Sequence, residues 1–144
     1  MPSQSVTNII SEDMMTSLRN ALDPASKMKV VCIGSFNPLS RKSCEIIKTS
    51  HETVHRFQFI KQSNPVIVVP LFKKLFRDDI TWESSMCGLS NHRLVDYVVN
   101  VERCSTIDIV DRFSPDFVFL DRAISGHTDL ETFAKKMRIK LIRV

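Results

Sequence analysis

The chain has 144 residues, 43% of them hydrophobic and 25% charged, with a formal net charge of +4. Those values fit one globular domain and exclude a disordered chain or a fibrous repeat. The longest apolar run, Val66 to Phe72, is interrupted by Pro70 and falls far short of the ~20 residues that span a bilayer.

Residues 1–27 read as a polar lead-in with one helix. Ser11-Glu-Asp is followed by Met14, Met15, Leu18 and Leu22 at helical spacing, and Pro24 stops the pattern. Met28 to Ile33 (MKVVCI) is a β-branched apolar run, the expected first strand of an α/β domain over residues 28–144. Gly34-Ser-Phe-Asn-Pro breaks it, and Leu39 to Val54 then has the pattern of a helix. Pro65 to Leu71 (PVIVVPL) predicts a second buried strand, leading into the basic segment Phe72-Lys-Lys-Leu-Phe-Arg. Ser90 is placed to cap a helix through Val101, with Leu94, Val95, Val98 and Val99 on one face. A further short helical turn is expected between Val101 and Arg112. Pro115 to Leu120 predicts a third strand ending at Asp121, Leu130 to Met137 a helix, and Ile139 to Val144 a last strand.

Strands alternating with helices imply right-handed crossovers and a Rossmann-like three-layer α/β domain with a mostly parallel sheet of four to five strands. Ligands of such sheets sit beyond the carboxyl ends of the strands. The segments to inspect are therefore Gly34–Ser43, Phe72–Arg77, Asp121–Arg122 and Arg143, which combine a turn glycine, small hydroxyls, cations and one carboxylate. From Asp121 to Val144 there are six basic residues against three acidic ones, compatible with an anionic ligand.

Several chemistries are excluded. Only three glycines occur (Gly34, Gly88 and Gly126), so neither G-x-G-x-x-G nor a P-loop exists. No G-x-S-x-G elbow is present. The four cysteines (Cys32, Cys44, Cys87 and Cys104) form no C-x-x-C pair and have no histidine at zinc-finger spacing, so they read as reduced structural thiols and no metal site is expected from protein ligands. His51, His55 and His127 have no partner at a motif spacing and read as structural or exposed. Trp82 reads as a cover over the core. The N-terminal residues lack the basic start and apolar block of a secretory signal. A soluble protein of the cytoplasm or another intracellular compartment, without membrane association, is the expectation.

Lys29 to Ile47 (KVVCIGSFNPLSRKSCEII) resembles the first strand, loop and helix of the HxGH-type nucleotidylyltransferases. Gly34 to Pro38 is similar to nicotinamide-mononucleotide adenylyltransferases, and the overall spacing is similar to glycerol-3-phosphate cytidylyltransferases. Asn91-His92-Arg93-Leu94 resembles the family's His-Arg pair opening a helix. Asp116 to Asp121 resembles the strand whose final acidic residue faces the ligand, and Ile139 to Arg143 the last strand with its arginine. The resemblance implies CTP or ATP as ligand, Mg²⁺ if transfer occurs, and a nucleotide site made by Gly34, Ser35, Phe36, Asn37, Ser40, Ser43, Lys73, Arg93, Asp121 and Arg143.

The departures from that pattern carry the functional expectation. Ser40 and Ser43 stand where both signature histidines belong, and Lys42 where the glycine belongs. A serine hydroxyl donates one hydrogen bond and cannot carry positive charge, so the groups that stabilise the reacting phosphorus are missing. The sequence also stops one residue after Arg143, ahead of the family's threonine- and serine-rich segment. A catalytically degenerate domain is the expectation, serving as a nucleotide-binding or protein-interaction module with a protein partner or a second copy of itself. An active transferase with divergent phosphate ligands is the alternative, and nucleic-acid binding ranks last because aromatic residues are sparse in the basic C-terminal region.

Overall fold

Six short runs rich in Val, Ile and Phe become strands in the computed structural model, which describes residues 8–24, 28–36, 39–56, 65–122, 124 and 127–144. They are β1 (Ile9–Ser11), β2 (Lys29–Ile33), β3 (Val66–Phe72), β4 (Tyr97–Val101), β5 (Phe117–Leu120) and β6 (Lys140–Arg143). Every neighbouring pair is parallel, in the order β1-β4-β3-β2-β5-β6. The helices are α1 (Met15–Leu22), α2 (Glu45–Arg56), α3 (Asp79–Ser90), α4 (Thr106–Phe113) and α5 (Thr128–Lys136).

Alternate residues of each strand feed two separate cores. Val30, Cys32, Ile67, Val69 and Phe119 pack under Ile46 and Ile47 of α2 and Trp82, Met86 and Leu89 of α3. Val31, Val68, Val99, Val118 and Leu120 pack under Met15 of α1, Ile109 and Phe113 of α4, and Leu130 of α5. The result is a three-layer α/β domain. Each fully buried side chain such as Phe113 or Ile47 contributes about 1.5–3 kcal/mol of transfer free energy. Cys32 is fully buried and donates its thiol hydrogen to Ser50 Oγ at 3.2 Å; burial pushes its pKa up to about 12, so it is an inert apolar filler.

Two expectations about elements change. The sheet has six strands rather than four to five, because Ile9–Ser11 of the lead-in pairs with Val98–Asn100 as an edge strand. The helix expected from Ser90 to Val101 is instead the end of α3 followed by β4. Leu94, Val95, Val98 and Val99 do have helical spacing, yet Val98 enters one core and Val99 the other, which only an extended strand buried on both faces allows. Asn91-His92-Arg93-Leu94 therefore follows a helix and does not open one. Asn91 caps the carboxyl end of α3, its amide accepted by Gly88 and Leu89 carbonyls.

At the amino end of the sheet two aspartates extend the ladder. Asp96 accepts the Ile67 amide at 2.8 Å and Asp116 the Lys29 amide at 2.9 Å, while their own amides donate back to the same two residues. Lys29 is also buried there, its ammonium donating to the Phe113 carbonyl at 3.2 Å, pairing with Asp23, and lying 5.5 Å from the Phe113 ring centre. At the carboxyl end the pairing loosens. β2 pairs with β3 only through Val31 and Val68, whereas its ladder with β5 runs on to Ile33 and Leu120. Pro70, which has no amide hydrogen to donate, stands two residues past the last β2–β3 pair.

Candidate functional site

A cavity of about 440 Å³ opens where the β2–β3 ladder stops. Ile33, Gly34, Ser35 and Phe36 form one wall, Pro70, Leu71 and Phe72 another. Lys74, Leu75 and Phe76 follow from the 3-10 turn after β3, and Thr106 of α4, Ile124 and His127 complete it. It lies at the carboxyl ends of the strands, beside the β2–β5 pair where the strand order reverses direction, the usual ligand position of open parallel sheets. The volume falls within the range of small-molecule sites.

Gly34 is needed for space. A Cβ there would come within 2.9 Å of the Phe36 ring and 3.2 Å of Ile46, because the loop folds that ring back into the core. Phe36 is 2% exposed, and its carbonyl accepts the Ser85 hydroxyl at 3.1 Å. Gly34, Ser35 and Phe36 of the expected site thus line the cavity. Asn37 lies outside the described residues.

Ser40 and Ser43 lie in the turn just before α2, at the carboxyl end of the sheet. Their hydroxyls are engaged with each other. Ser40 Oγ accepts the Ser43 amide at 3.1 Å, Ser43 Oγ accepts the Ser40 amide at 2.8 Å, and the two oxygens are 3.3 Å apart. These reciprocal bonds close the turn that leads into α2, and neither serine is among the cavity-lining residues.

Lys73 does not face the cavity either. Its ammonium lies 3.4 Å from Asp79 and 3.6 Å from Glu102, and 5.3 Å from the Trp82 ring centre. The Asp79 carboxylate, with Glu102 behind it, raises its pKa above the ordinary lysine value. Its neighbour Lys74 is the lysine on the cavity wall. Trp82 is buried and donates its indole hydrogen to the Leu71 carbonyl at 3.1 Å, which makes it a core cover.

Asp121 follows β5, its amide bonded to the Ile33 carbonyl at 3.0 Å and its carbonyl accepting the Ile124 amide at 3.0 Å, so it shapes the loop that brings Ile124 to the cavity. Arg143 braces the same loop. It bonds Glu131 at 3.2 Å and the Ile124 carbonyl at 3.3 Å. Arg93 is elsewhere. It sits in the α3–β4 connection at the amino end of the sheet, with Lys48, His51, Glu52 and His92 around a separate shallow groove. His92 accepts the Leu94 amide on Nδ1 at 3.1 Å, and burial together with the Arg93 charge lowers its pKa.

Thr106, Ile124 and His127 were not legible as site residues, and His127 carries no motif that would mark it. Glu12 is a further surprise. Only 4% exposed, its carboxylate accepts the amides of Glu102 and Arg103 at 3.2 Å and of Cys104 at 2.8 Å. Burial alone would raise its pKa, but these amide bonds outweigh that and hold it below the ordinary value. Among the described residues no group of three or more His, Cys, Asp or Glu is placed to hold a metal ion.

The sequence matches no protein-family model and no curated protein. Among solved structures it is similar to a lipopolysaccharide core biosynthesis protein from Thermoplasma volcanium, with a TM-score of 0.59 and 18% identity, over 81% of this chain and 95% of that one. At that identity the likeness establishes a shared fold.

Proposed function

We propose that the chain is a nucleotidylyltransferase-like domain that binds a nucleotide in the β2–β3 cavity without transferring a nucleotidyl group. The observation that carries this reading is the Ser40–Ser43 pair. The residues that take the two signature positions in the family resemblance bond each other in the turn before α2 and offer no cationic donor to a reacting phosphate. The G-S-F loop, by contrast, still lines a cavity of ligand size. Groups that hold ground and transition states equally confer affinity and no turnover. The test is calorimetric titration with CTP and ATP, with and without Mg²⁺, followed by product analysis. Weak binding with no pyrophosphate release is expected. Steady pyrophosphate release with a phosphorylated acceptor, lost in Ser43→Ala, would establish an active transferase instead.

A role in self-association is favoured by one separate observation. Leu75 and Ile80, 63% and 78% exposed, flank the turn between β3 and α3. Light scattering on the wild type and on a Leu75→Asp/Ile80→Asp double variant checks it: a dimer that becomes monomeric supports the role, and a monomer in both refutes it.

A further inference from the structure

The carboxyl end of the sheet is rich in groups that attract anions, and the chain's own side chains have taken several of them. The successive amides of residues 102–104 form a concave nest suited to an anion, and the Glu12 carboxylate fills it. Arg103 lies 3.9 Å from Glu12 and 3.6 Å from Asp13. Lys73 is held between Asp79 and Glu102, and Arg143 is bonded to Glu131. The hydroxyls of Ser40 and Ser43 bond each other. Arg41, Lys42, Arg77 and Arg122 lie toward the same end, but none is among the residues lining the cavity.

Lys74 is the exception. It lines the cavity and has no ion-pair partner among the described residues. Around it the wall is largely apolar and aromatic, with Phe36, Phe72, Leu75, Phe76 and Ile124. The polar groups beside them are Ser35, Thr106 and His127, which can donate hydrogen bonds but supply no permanent charge.

Resting on the reading of this cavity as a ligand site, we propose that it takes a flat, apolar-bodied small molecule carrying a single anionic group, a nucleoside monophosphate rather than a triphosphate. The phosphate seats on Lys74 and the ring lies among the phenylalanines. One phosphate matches one lysine. Each further phosphate would meet no second permanently charged side chain among the described residues that line the cavity, and would be desolvated there without a cationic partner.

The test is calorimetry on the full chain with cytidine, adenosine, CMP, AMP, CTP and ATP, and with phenyl phosphate as a non-nucleotide probe. Monophosphates are expected to bind at least as tightly as the matching triphosphates, and about tenfold more tightly than the nucleosides, from one charge-assisted contact. Lys74→Ala, checked by its melting curve, should remove that tenfold gain, while Lys73→Ala and Arg103→Ala retain it. Affinity that climbs with each added phosphate, or a gain that survives Lys74→Ala, overturns the proposal. If triphosphates alone bind, the single-anion proposal falls and the nucleotide reading stands. If phenyl phosphate alone binds and does so through Lys74, the proposal stands and the nucleotide reading falls. Binding of none of these probes refutes both.

Discussion

The two ends of the sheet use the same side-chain chemistry for opposite purposes. At the amino end, Asp96 and Asp116 complete the backbone ladder by accepting amides from β3 and β2, and the turns from α4 to β5 and from α5 to β6 are tight. At the carboxyl end, Glu12, Asp79, Glu102 and Glu131 engage cations and amides around a cavity that the interrupted β2–β3 ladder leaves open. Carboxylates near the strand starts therefore buttress the fold. Those near the strand ends hold the amides and cations of the loops that follow the strands.

The strongest way to break this comparison is Glu12→Ala, which removes the acceptor of three consecutive amides. It should cost about 3 kcal/mol, or roughly 6–12 °C in melting temperature at neutral pH. The sign of the pH dependence follows from the lowered pKa. The stabilisation is complete above the ordinary glutamate value of 4.5 and is lost as pH falls through the lower folded value. The melting gap between wild type and Glu12→Gln should therefore narrow below that pH. A gap that widens in acid would contradict the buried carboxylate.

Asp116→Ala is the counterpart at the other end. Losing a part-buried acceptor that spans 87 residues of sequence should cost about 2 kcal/mol by denaturant titration. The same variant should leave the affinity for CMP unchanged. A binding defect of comparable size would show that the two ends are not separable.

Arg138 at the α5–β6 turn and Ser114 at the α4–β5 turn hold φ values of 60° and 51°, a left-handed conformation that favours glycine. Arg138→Gly should raise stability by about 0.5 kcal/mol, the relief of strain exceeding the added chain entropy. A lower melting temperature would mean that the arginine side chain contributes more than its backbone costs.

The smallest effect is expected from Lys73→Ala. Its pairs with Asp79 and Glu102 are solvent-exposed, so the melting temperature should barely change. The Trp82 fluorescence should still shift, since the ammonium lies over that ring. Unchanged emission would argue against the contact.

The strands β2, β3, β5 and β6 were legible because each is a concentrated apolar run bounded by Gly, Pro, Asp or basic residues. β4 was not, since spacing along residues 94–99 satisfies a helix as well as a strand. Only the placement of Val98 and Val99 in different cores separates the two. The site was legible to the same degree. Gly34, Ser35 and Phe36 followed from their position after the first apolar run, and the basic turn after β3 was identified. That Lys74 and not Lys73 lies on the cavity wall was not, because neighbours in a 3-10 turn point about 120° apart and only the positions of Asp79 and Glu102 decide which lysine is engaged.

The alternation of strand and helix and the parallel sheet could be read from the sequence alone. These follow from local composition and chain order, which short-range sterics and burial translate directly into structure. Tertiary packing alone brings Ile9–Ser11 into the sheet, sends Arg93 to the far end and seats Glu12 against the amides of residues 102–104. Those facts depend on residues up to 92 positions apart meeting in space, as Glu12 and Cys104 do, and no local pattern encodes such a meeting.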